Sequence, residues 1–313
     1  MENKYNFKNL VFEGGGIKGL AYAGALRILE QKEIVQKIEK VAGTSAGAIT
    51  ASLLAVGFST AEITKILEET NFNNFKDESP FIIPNIIRIL KKYGWYKGKE
   101  FKKWFETTIS KKVDKNITFS QLSGLKKESV NNFKELYIVG ANISNRAAKI
   151  FSNKTTPKMR ISEAVRISMS IPIFFASVRK KEGIFADGGI YYNYPINLFD
   201  KNGYNKETLG LRVDSKEEII SAKTNKNSKK NISSFKNYSQ AIIESLIDIA
   251  NKTHLSERDW HRTIYINTGS IKATQFDLSE KQKKRLIENG KKGAVDYLKW
   301  FDNPSKDKTP LNK

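Results

Sequence analysis

The sequence predicts an α/β fold of three layers, in which helices cover both faces of a mostly parallel central sheet. Two observations lead to this class. Short apolar runs of strand length alternate with longer amphipathic segments along most of the 313 residues. At two places a short run reaches a glycine-rich turn and a helical pattern begins directly after it, which is typical of strand–turn–helix units in parallel sheets.

The elements of the first third of the chain follow from their apolar spacing. The predicted elements are a strand at 10–12, a helix at 18–32, a strand ending at 41–42, a helix at 45–56 and a helix at 62–69. Thr60 is predicted to cap the last helix, because its hydroxyl can accept from amides at the helix start. The apolar and aromatic residues from 80 to 105 are expected mostly to pack inward, and an apolar flap that opens toward lipid is the alternative.

The rest of the chain continues the alternation. Strands are predicted at 135–143, 148–151, 183–186, 208–213 and 264–266, with helices at 161–169, 238–252 and 279–300, and Ser279 with Gln282 resembles a capping box. The predicted organisation is a catalytic core at 1–213, a mobile Lys-, Asn- and Ser-rich loop at 214–236, a completion of the same domain at 237–302 and a frayed tail at 303–313.

The charge balance is strongly basic. Lys and Arg number 54 against 33 Asp and Glu, which gives a formal net charge of +21 that attracts polyanions. Lysine dominates over arginine and no nucleic-acid-binding motif is present, so no specific nucleic-acid partner is expected. An anionic membrane surface and a simple compositional bias that favours solubility remain as equal interpretations.

The composition also limits cofactors and location. The chain has no cysteine, which excludes disulfides and thiolate metal sites. Residues 1–9 are polar and no stretch approaches the ~20 apolar residues of a membrane span. We expect a cytoplasmic or peripherally membrane-associated protein, and secretion by a route without a signal peptide remains open.

Ser45 lies at the centre of Gly43-Thr44-Ser45-Ala46-Gly47, which matches the G-x-S-x-G pattern of a nucleophile elbow. In such an elbow the chain leaves a strand, turns sharply and enters a helix, with the serine at a strained tip. Gly43 and Gly47 let the neighbouring elements approach closely. Ser45 is therefore the candidate nucleophile, and a tightly packed helix start is the structural alternative.

A second glycine cluster, Gly14–Gly19, also stands between a predicted strand and a predicted helix. A Walker phosphate loop is excluded because Gly19, and not Ser or Thr, follows Lys18. The dinucleotide spacing G-x-G-x-x-G is present, but its acidic partner would be Glu33 or Glu39, neither clearly at a strand end. Consecutive glycines let backbone amides converge on an anion, so an oxyanion hole fits best beside a serine elbow. The predicted oxyanion hole consists of Gly14, Gly15 and Gly16.

Asp187 follows the extended segment 183–186 and precedes Gly188 and Gly189. An acid at a strand end, followed by two glycines, can be brought close to another loop. Asp-Gly is also among the commonest turn dipeptides, so taken alone the motif favours a simple turn.

The chain has two histidines, His254 and His261, and the order Ser45, Asp187, histidine is that of an α/β-hydrolase triad. Both histidines stand among polar and charged residues and are interpreted as surface side chains. An esterase that uses a Ser-Asp-His triad on soluble esters is the alternative enzyme. A non-enzymatic protein that binds anionic membranes or nucleic acid through its lysines is the alternative without catalysis. No metal site is expected, since two histidines without cysteine give little support for zinc.

The three motifs together resemble the patatin-like phospholipase family. Three segments match the oxyanion, serine and aspartate motifs of that family, namely Gly14–Gly19 with its basic Lys18, Gly43–Gly47 and Asp187–Gly189. Residues 164–172 and 193–195 resemble the segments that bracket the aspartate in bacterial members, and the resemblance covers residues 10–198. Lys18, Gly19, Gly43, Gly47, Gly188 and Gly189 are the residues expected to support the site.

The resemblance implies a patatin-like α/β/α fold and a Ser-Asp dyad, with Ser45 at the strand-to-helix elbow and Asp187 as its base. It implies a lipid acyl hydrolase of phospholipase A or lysophospholipase type, which acts on phospholipid or lysophospholipid through an acyl-enzyme and without a cofactor. Because an ordinary aspartate is a weak base, the site must desolvate Asp187 and stabilise the oxyanion strongly. Some bacterial effectors of the family need an activator, so a protein activator is a candidate partner.

Overall fold

A mixed sheet of eight strands forms the centre of the fold in the part of the chain that the computed structural model describes. That part comprises residues 4–77, 88–129, 133–201, 203–214 and 256–303, with a few isolated positions between 232 and 249. The strands of this sheet are β1 (Asn9–Phe12), β2 (Lys40–Thr44), β4 (Glu135–Asn142), β5 (Ala147–Ser152), β7 (Val178–Lys180), β8 (Gly183–Asp187), β9 (Thr208–Asp214) and β10 (Thr263–Asn267). A separate parallel pair is formed by β3 (Gly94–Tyr96) and β6 (Ile173–Phe175).

The sheet is parallel at one end and antiparallel at the other. Five strands run parallel in the order β10-β9-β1-β2-β4, which confirms the predicted parallel centre. Beyond them, β4 pairs antiparallel with both β5 and β8, and β8 pairs antiparallel with β7. The antiparallel end was not predicted from the sequence.

Helices flank the sheet. The α-helices whose two ends lie within the described residues are α1 (Ala21–Gln31), α2 (Ala46–Ala55), α3 (Thr60–Glu69), α4 (Lys99–Ile109), α5 (Phe119–Glu128), α6 (Ile161–Ser168), α7 (Gly189–Tyr192) and α8 (Glu280–Asp302). Short 3₁₀ helices lie at Gly16–Leu20, Val35–Lys37, Phe72–Phe75 and Glu257–Arg262. The predicted capping box of Ser279 and Gln282 is present at the start of α8. In the described residues, no helix is both long enough and apolar enough to cross a bilayer.

Alternate residues of the central strands point to opposite faces of the sheet. Leu10 and Phe12 of β1 belong to a large core that includes the apolar sides of α1, α2, α3 and α8. Val11, between them, belongs to a smaller core on the other face, where it packs with residues from Tyr194 to Phe199. Because both faces of β1 are buried, its apolar residues form an uninterrupted run, as is typical of a central parallel strand.

Two predicted helix starts are wrong. The helix predicted from residue 18 begins as a 3₁₀ helix over Gly16–Leu20, and α1 starts only at Ala21. The Ile17 amide donates to the carbonyl of Ala273 at 2.9 Å, so a distant loop fixes this turn, and no local pattern could indicate it.

The cap of α3 is Ser59 and not Thr60. The Ser59 hydroxyl accepts from the Glu62 amide at 3.2 Å, and the Glu62 carboxylate accepts from the Ser59 amide at 2.8 Å. These reciprocal bonds form a complete capping box, which satisfies two amides that the helix itself leaves free. The Thr60 hydroxyl instead donates to the carboxylate of Glu30.

The side chains between residues 80 and 105 differ in their burial. Phe101 and Phe105 of α4 are buried, as predicted for this aromatic stripe. Leu90 and Tyr93 are instead exposed, at 71% and 46% of their surface, so the expected inward packing is wrong for them. Residues 78–87, the loop predicted at 214–236 and the helix predicted at 238–252 lie outside the described residues, apart from isolated positions and Asp214 at the end of β9.

Candidate active site

The register of β4 brings the ends of two other strands together. Val139 of β4 pairs with Thr44, the last residue of β2, on the edge opposite β5. The next residue, Gly140, pairs on that same edge with Asp187, the last residue of β8. Since β2 runs parallel to β4 and β8 runs antiparallel, their carboxyl ends meet there. Ser45, which follows Thr44, is thereby brought next to Asp187.

Ser45 occupies a strained turn between β2 and α2. Its φ and ψ angles are +53° and −123°, a conformation that a residue with a side chain rarely adopts. A Cβ on Gly43 would lie 2.3 Å from the carbonyl carbon of Gly47, and a Cβ on Gly47 would lie 2.5 Å from the carbonyl oxygen of Phe12. Only glycine fits at both positions, so the two motif glycines allow the sharp turn that the G-x-S-x-G pattern predicts.

Two serines at the end of α6 hold the two candidate residues. The Ser45 amide donates to the Ser168 hydroxyl at 2.8 Å, and that hydroxyl donates to the Val139 carbonyl at 2.6 Å. The Asp187 amide donates to the carbonyl of Ser170 at 2.9 Å. The last residue of α6 and the segment directly after it therefore fix the backbone of both the serine and the aspartate. No feature of the sequence singled out Ser168 for this role.

The Asp187 carboxylate is buried and only half satisfied. Its Oδ1 accepts from the Gly189 amide at 2.8 Å, whereas its Oδ2 has no hydrogen-bond partner among the described residues. Burial raises the pKa of Asp187 to about 7, although the Gly189 amide and the nearby Ser45 hydroxyl both lower it. A role of Asp187 as a base requires a desolvated carboxylate, and the buried carboxylate meets this requirement.

The Ser45 hydroxyl points to a weak partner. Its Oγ lies 3.6 Å from the Sδ of Met169, and a thioether is a poor hydrogen-bond acceptor. Rotation of this side chain costs little against such a contact. The hydroxyl of Ser45 and the unsatisfied oxygen of Asp187 are therefore available to each other.

The glycine loop lies directly against the serine. A Cβ on Gly14 would lie 3.2 Å from the Cβ of Ser45 and 2.4 Å from the Oδ1 of Asn193. The Gly14 amide donates to the Asn193 carbonyl at 3.0 Å, so this member of the predicted oxyanion hole is already engaged. The amides of Gly15 and Gly16 meet no acceptor among the described residues. These two amides are the ones in the predicted loop that could receive an anion.

Close packing explains the supporting glycines. A Cβ on Gly19 would lie 2.8 Å from the Cβ of Ala46, so Gly19 lets the 3₁₀ helix rest on the start of α2. A Cβ on Gly188 would lie 2.6 Å from the carbonyl oxygen of Val139. Lys18, the basic residue of the loop, is buried.

A cluster of buried polar side chains lies next to the glycine loop. The side-chain amide of Asn193 donates to Glu13 at 3.2 Å, and the Val213 amide donates to the other carboxylate oxygen at 3.0 Å. The guanidinium of Arg212 lies 3.3 Å from Glu13 and also pairs with Asp214. Burial raises the pKa of Glu13, and the nearby Arg212 offsets this only in part. No local pattern indicated this cluster, because Glu13 and the residues of β9 are brought together by the parallel pairing of β1 and β9.

An apolar cavity adjoins the site. It encloses only about 20 Å³, and its apolar walls include Ile17, Leu20, Ile49, Leu67, Met169 and Phe276. Phe72 and Phe276 also line a polar cleft of about 490 Å³, which includes Lys283 and Lys284. Two phenylalanines therefore lie between a narrow apolar cavity at Met169 and an open polar cleft.

The histidines do not join the described site. His261 is exposed and stacks on Trp300, with ring centroids 5.7 Å apart, and it makes no hydrogen bond to Ser45 or Asp187. His254 lies outside the described residues. Within the described ranges, no three His, Asp or Glu side chains are grouped as metal ligands.

Comparison with known proteins places the chain in a family. The family model of the patatin-like phospholipases matches residues 10–200, which contain all three motifs. Protein R571 of Acanthamoeba polyphaga mimivirus, which is uncharacterized, is 32% identical over 294 residues, 93% of either chain. A probable lipid hydrolase, 463L of Invertebrate iridescent virus 6, is 28% identical over 204 residues, which cover 63% of this chain and 64% of that protein.

A solved structure has the same fold. VipD from Legionella pneumophila matches with a TM-score of 0.63 at 20% identity, over 94% of this chain and 67% of the VipD chain. At that identity the match speaks for the fold alone. The matched family model covers well over half of the chain, including the serine elbow, the glycine loop and the aspartate turn. The chain belongs to the patatin-like phospholipase family.

Proposed function

We propose that this protein is a lipid acyl hydrolase that cleaves carboxylic esters of glycerophospholipids, as a phospholipase A or a lysophospholipase. The observation that carries the proposal is the buried Asp187 carboxylate next to Ser45, with Oδ2 free of hydrogen bonds among the described residues. Family membership supports hydrolysis of a lipid. The dyad chemistry and the class of ester are the proposed parts.

In the first step, Ser45 Oγ attacks the acyl carbonyl and Asp187 Oδ2 takes the hydroxyl proton. An aspartate with a pKa of about 7 is a much stronger base than one near 4, and it is about half ionised at pH 7 and largely ionised at mildly alkaline pH. The alcohol leaves with that proton and an acyl-enzyme remains. Water, deprotonated by the same carboxylate, then releases the fatty acid and regenerates Ser45.

The oxyanion of each tetrahedral intermediate would be bound by the amides of Gly15 and Gly16. Helix α2 begins at Ala46, so the partial positive charge of its N-terminus lies next to Ser45. Loss of one such donor costs ~2.7–4 kcal/mol of barrier in studied hydrolases. The bond from the Gly14 amide to Asn193 then orients the loop, and Gly14 itself contributes no donor.

The apolar cavity beside Met169 suits the start of a fatty acyl chain. Its volume of about 20 Å³ is far below the ~300–1,000 Å³ of typical ligand sites, so it must open before a long chain enters. Movement of Phe72 or Phe276 would join it to the polar cleft, where a head group could remain in water. An activating protein partner, if the enzyme needs one, would act by favouring this open state.

The direct test is acyl release from a mixed phospholipid extract, followed by mass spectrometry of the fatty acid and lysophospholipid products. We expect turnover by the parent protein and none above background by Ser45→Ala or Asp187→Asn. Ser120→Ala and Asp296→Asn change exposed residues of the same types and serve as matched controls. Both controls should keep parental activity.

Two results would contradict the proposal in different ways. Turnover that survives in Asp187→Asn would exclude Asp187 as the base. If it also disappeared on joint replacement of His254 and His261 by alanine, a triad would account for the activity. Absence of any ester hydrolysis by the parent, with and without added cell extract as a source of activator, would exclude the enzymatic function itself.

A further inference from the structure

An exposed apolar pair stands on a short helical segment before β3. Residues 88–92 are helical, and Leu90 and Tyr93 expose 71% and 46% of their surface. Tyr93 is the first residue after this helical segment and lies three positions beyond Leu90 in the chain. Large apolar side chains exposed this close together in the chain can mark a binding site.

Cations surround this pair. Lys91 and Lys92 are exposed and, among the described residues, have no carboxylate partner. The guanidinium of Arg179 lies 5.4 Å from the ring centroid of Tyr93 and donates to its hydroxyl at 3.2 Å. We call Leu90, Lys91, Lys92, Tyr93 and Arg179 the Leu90–Tyr93 surface. It combines apolar anchors with three positive charges and no described acid.

The backbone of Tyr93 is strained. Its φ is +60°, a left-handed conformation that glycine usually occupies at the end of a helix. An aromatic residue there is a genuine outlier. Ile173, whose amide donates to the Tyr93 carbonyl at 3.1 Å, is also left-handed, with φ +66°. A costly conformation that keeps an aromatic ring on the surface points to a use for that ring.

The same segment continues into the wall of the active site. The strand that follows Tyr93, β3, pairs with β6, which begins four residues after Met169. Phe174 of β6 packs on Tyr96, with centroids 4.7 Å apart, and stacks on Phe276 at 5.3 Å. Phe276 lines the cavity beside Met169. The Leu90–Tyr93 surface is therefore joined through two aromatic contacts to the passage that a lipid would use.

We propose that the Leu90–Tyr93 surface docks the enzyme on an anionic phospholipid bilayer. Leu90 and Tyr93 would enter the interfacial region, while Lys91, Lys92 and Arg179 would remain at the level of the head groups. The net charge of +21 would attract the protein to the same surface. The inference extends the proposed function, because it names the surface that presents the active site to its lipid.

The test uses the full chain carrying Ser45→Ala, so that the vesicles are not consumed. Binding is measured by cosedimentation with vesicles of equimolar phosphatidylcholine and phosphatidylglycerol at low ionic strength. Each basic residue near such a surface contributes ~1 kcal/mol, so joint Lys91→Gln and Lys92→Gln should weaken binding about thirtyfold. Joint Lys111→Gln and Lys115→Gln removes the same charge from another exposed loop and should have a much smaller effect.

Tyr93→Gly separates docking from folding. Glycine suits the left-handed backbone, so this variant should have a thermal midpoint equal to or above that of the parent. Its affinity for the vesicles should nevertheless fall on the order of tenfold, because the aromatic anchor is lost. Unchanged affinity in this variant would exclude Tyr93 from the docking surface.

Three outcomes distinguish this inference from the proposed function. Equal losses of vesicle binding in the two lysine pairs would overturn the docking surface and leave catalysis untouched. A second outcome is that the parent binds duplex DNA but no vesicles, and that the joint Lys91→Gln and Lys92→Gln variant loses the DNA binding. This result would overturn the docking on a bilayer in favour of nucleic acid. Hydrolysis of a soluble short-chain ester, measured with Ser45 restored, should be equal in both lysine pairs. Its absence from the parent would count against the catalytic proposal alone.

Discussion

At the scale of the residue, the protonation state of Asp187 should govern activity. Its pKa of about 7 follows from burial with one hydrogen bond. Because the proposed base must be ionised, kcat/KM for a soluble ester should rise with pH and level off above an inflection near 7. A pH profile of the parent protein checks this. A flat profile from pH 5 to pH 9 would contradict a carboxylate base with a raised pKa.

The same group should reduce stability as the pH rises. In the fold Asp187 holds its proton up to about pH 7, whereas in the unfolded chain it ionises near 3.8. Its contribution is therefore fully favourable below pH 4 and is lost progressively until about pH 7. The Asp187→Asn variant has no such group to ionise. Its free energy of unfolding, taken relative to that of the parent, should therefore increase by about 3 kcal/mol between pH 5 and pH 8. Denaturant titrations at both pH values measure the difference, in which contributions from other groups such as Glu13 cancel.

The residues of the candidate site differ in how far sequence could identify them. Ser45 could be proposed from its own motif, because the elbow pattern depends on glycines two positions away, although that motif alone also fits a tightly packed helix start. Asp187 needed the other motifs, since Asp-Gly is an ordinary turn by itself. The contacts of Ser168 with Ser45 and of Asn193 with Gly14 could not be predicted, because they join residues 123 and 179 positions apart.

At the scale of the element, length decided what could be predicted. The central strands β1, β4 and β9 are apolar and were predicted to within a few residues. The strands β3, β6 and β7 have three residues each and show no period. Helix α4 has a remote cap, because the Asp77 carboxylate accepts from the amides of Gly98 and Lys99 across 21 and 22 residues. In contrast, the capping box of Thr118 and Gln121 at α5 is a local signal, and it was not predicted.

Helices α1 and α8 should depend on two glycines where they cross. A Cβ on Gly24 would lie 1.8 Å from the Ile287 carbonyl oxygen, and a Cβ on Gly290 would lie 1.8 Å from that of Ala21. Gly290→Ala must force the helices apart, which should lower the free energy of unfolding by at least ~1–3 kcal/mol. Gly124→Ala in α5 meets nothing within 4 Å and should instead be neutral or stabilising by up to ~1 kcal/mol. Urea unfolding of the two variants checks the contrast, and equal effects would show that the crossing tolerates a methyl group.

At the scale of the whole molecule, the part beyond residue 213 is bound to the core although the matched motifs end earlier. Strand β10 pairs with β9 over five residues, and α8 packs on α1. The Ala273 carbonyl holds the Ile17 amide at 2.9 Å, next to the predicted oxyanion loop. The apolar period predicted β10 and α8 themselves. Their attachment to the glycine loop could not be predicted, because it depends on one carbonyl in an irregular segment.

We propose accordingly that residues 237–302 complete the catalytic domain, and a cleaved chain can test this. A specific protease site inserted near residue 226, within the Lys-, Asn- and Ser-rich stretch, would allow the chain to be cut between β9 and β10. The cut breaks the covalent connection and leaves the noncovalent contacts in place. The two fragments should elute together in size-exclusion chromatography and retain acyl release, because the β9–β10 pairing and the α1–α8 crossing are noncovalent. The fragment that ends near residue 226, produced alone, should be inactive even where it folds, since Gly16 and Ile17 lose Ala273. Fragments that separate without denaturant, or full activity in the isolated amino-terminal fragment, would show that the carboxyl-terminal part is a separate unit.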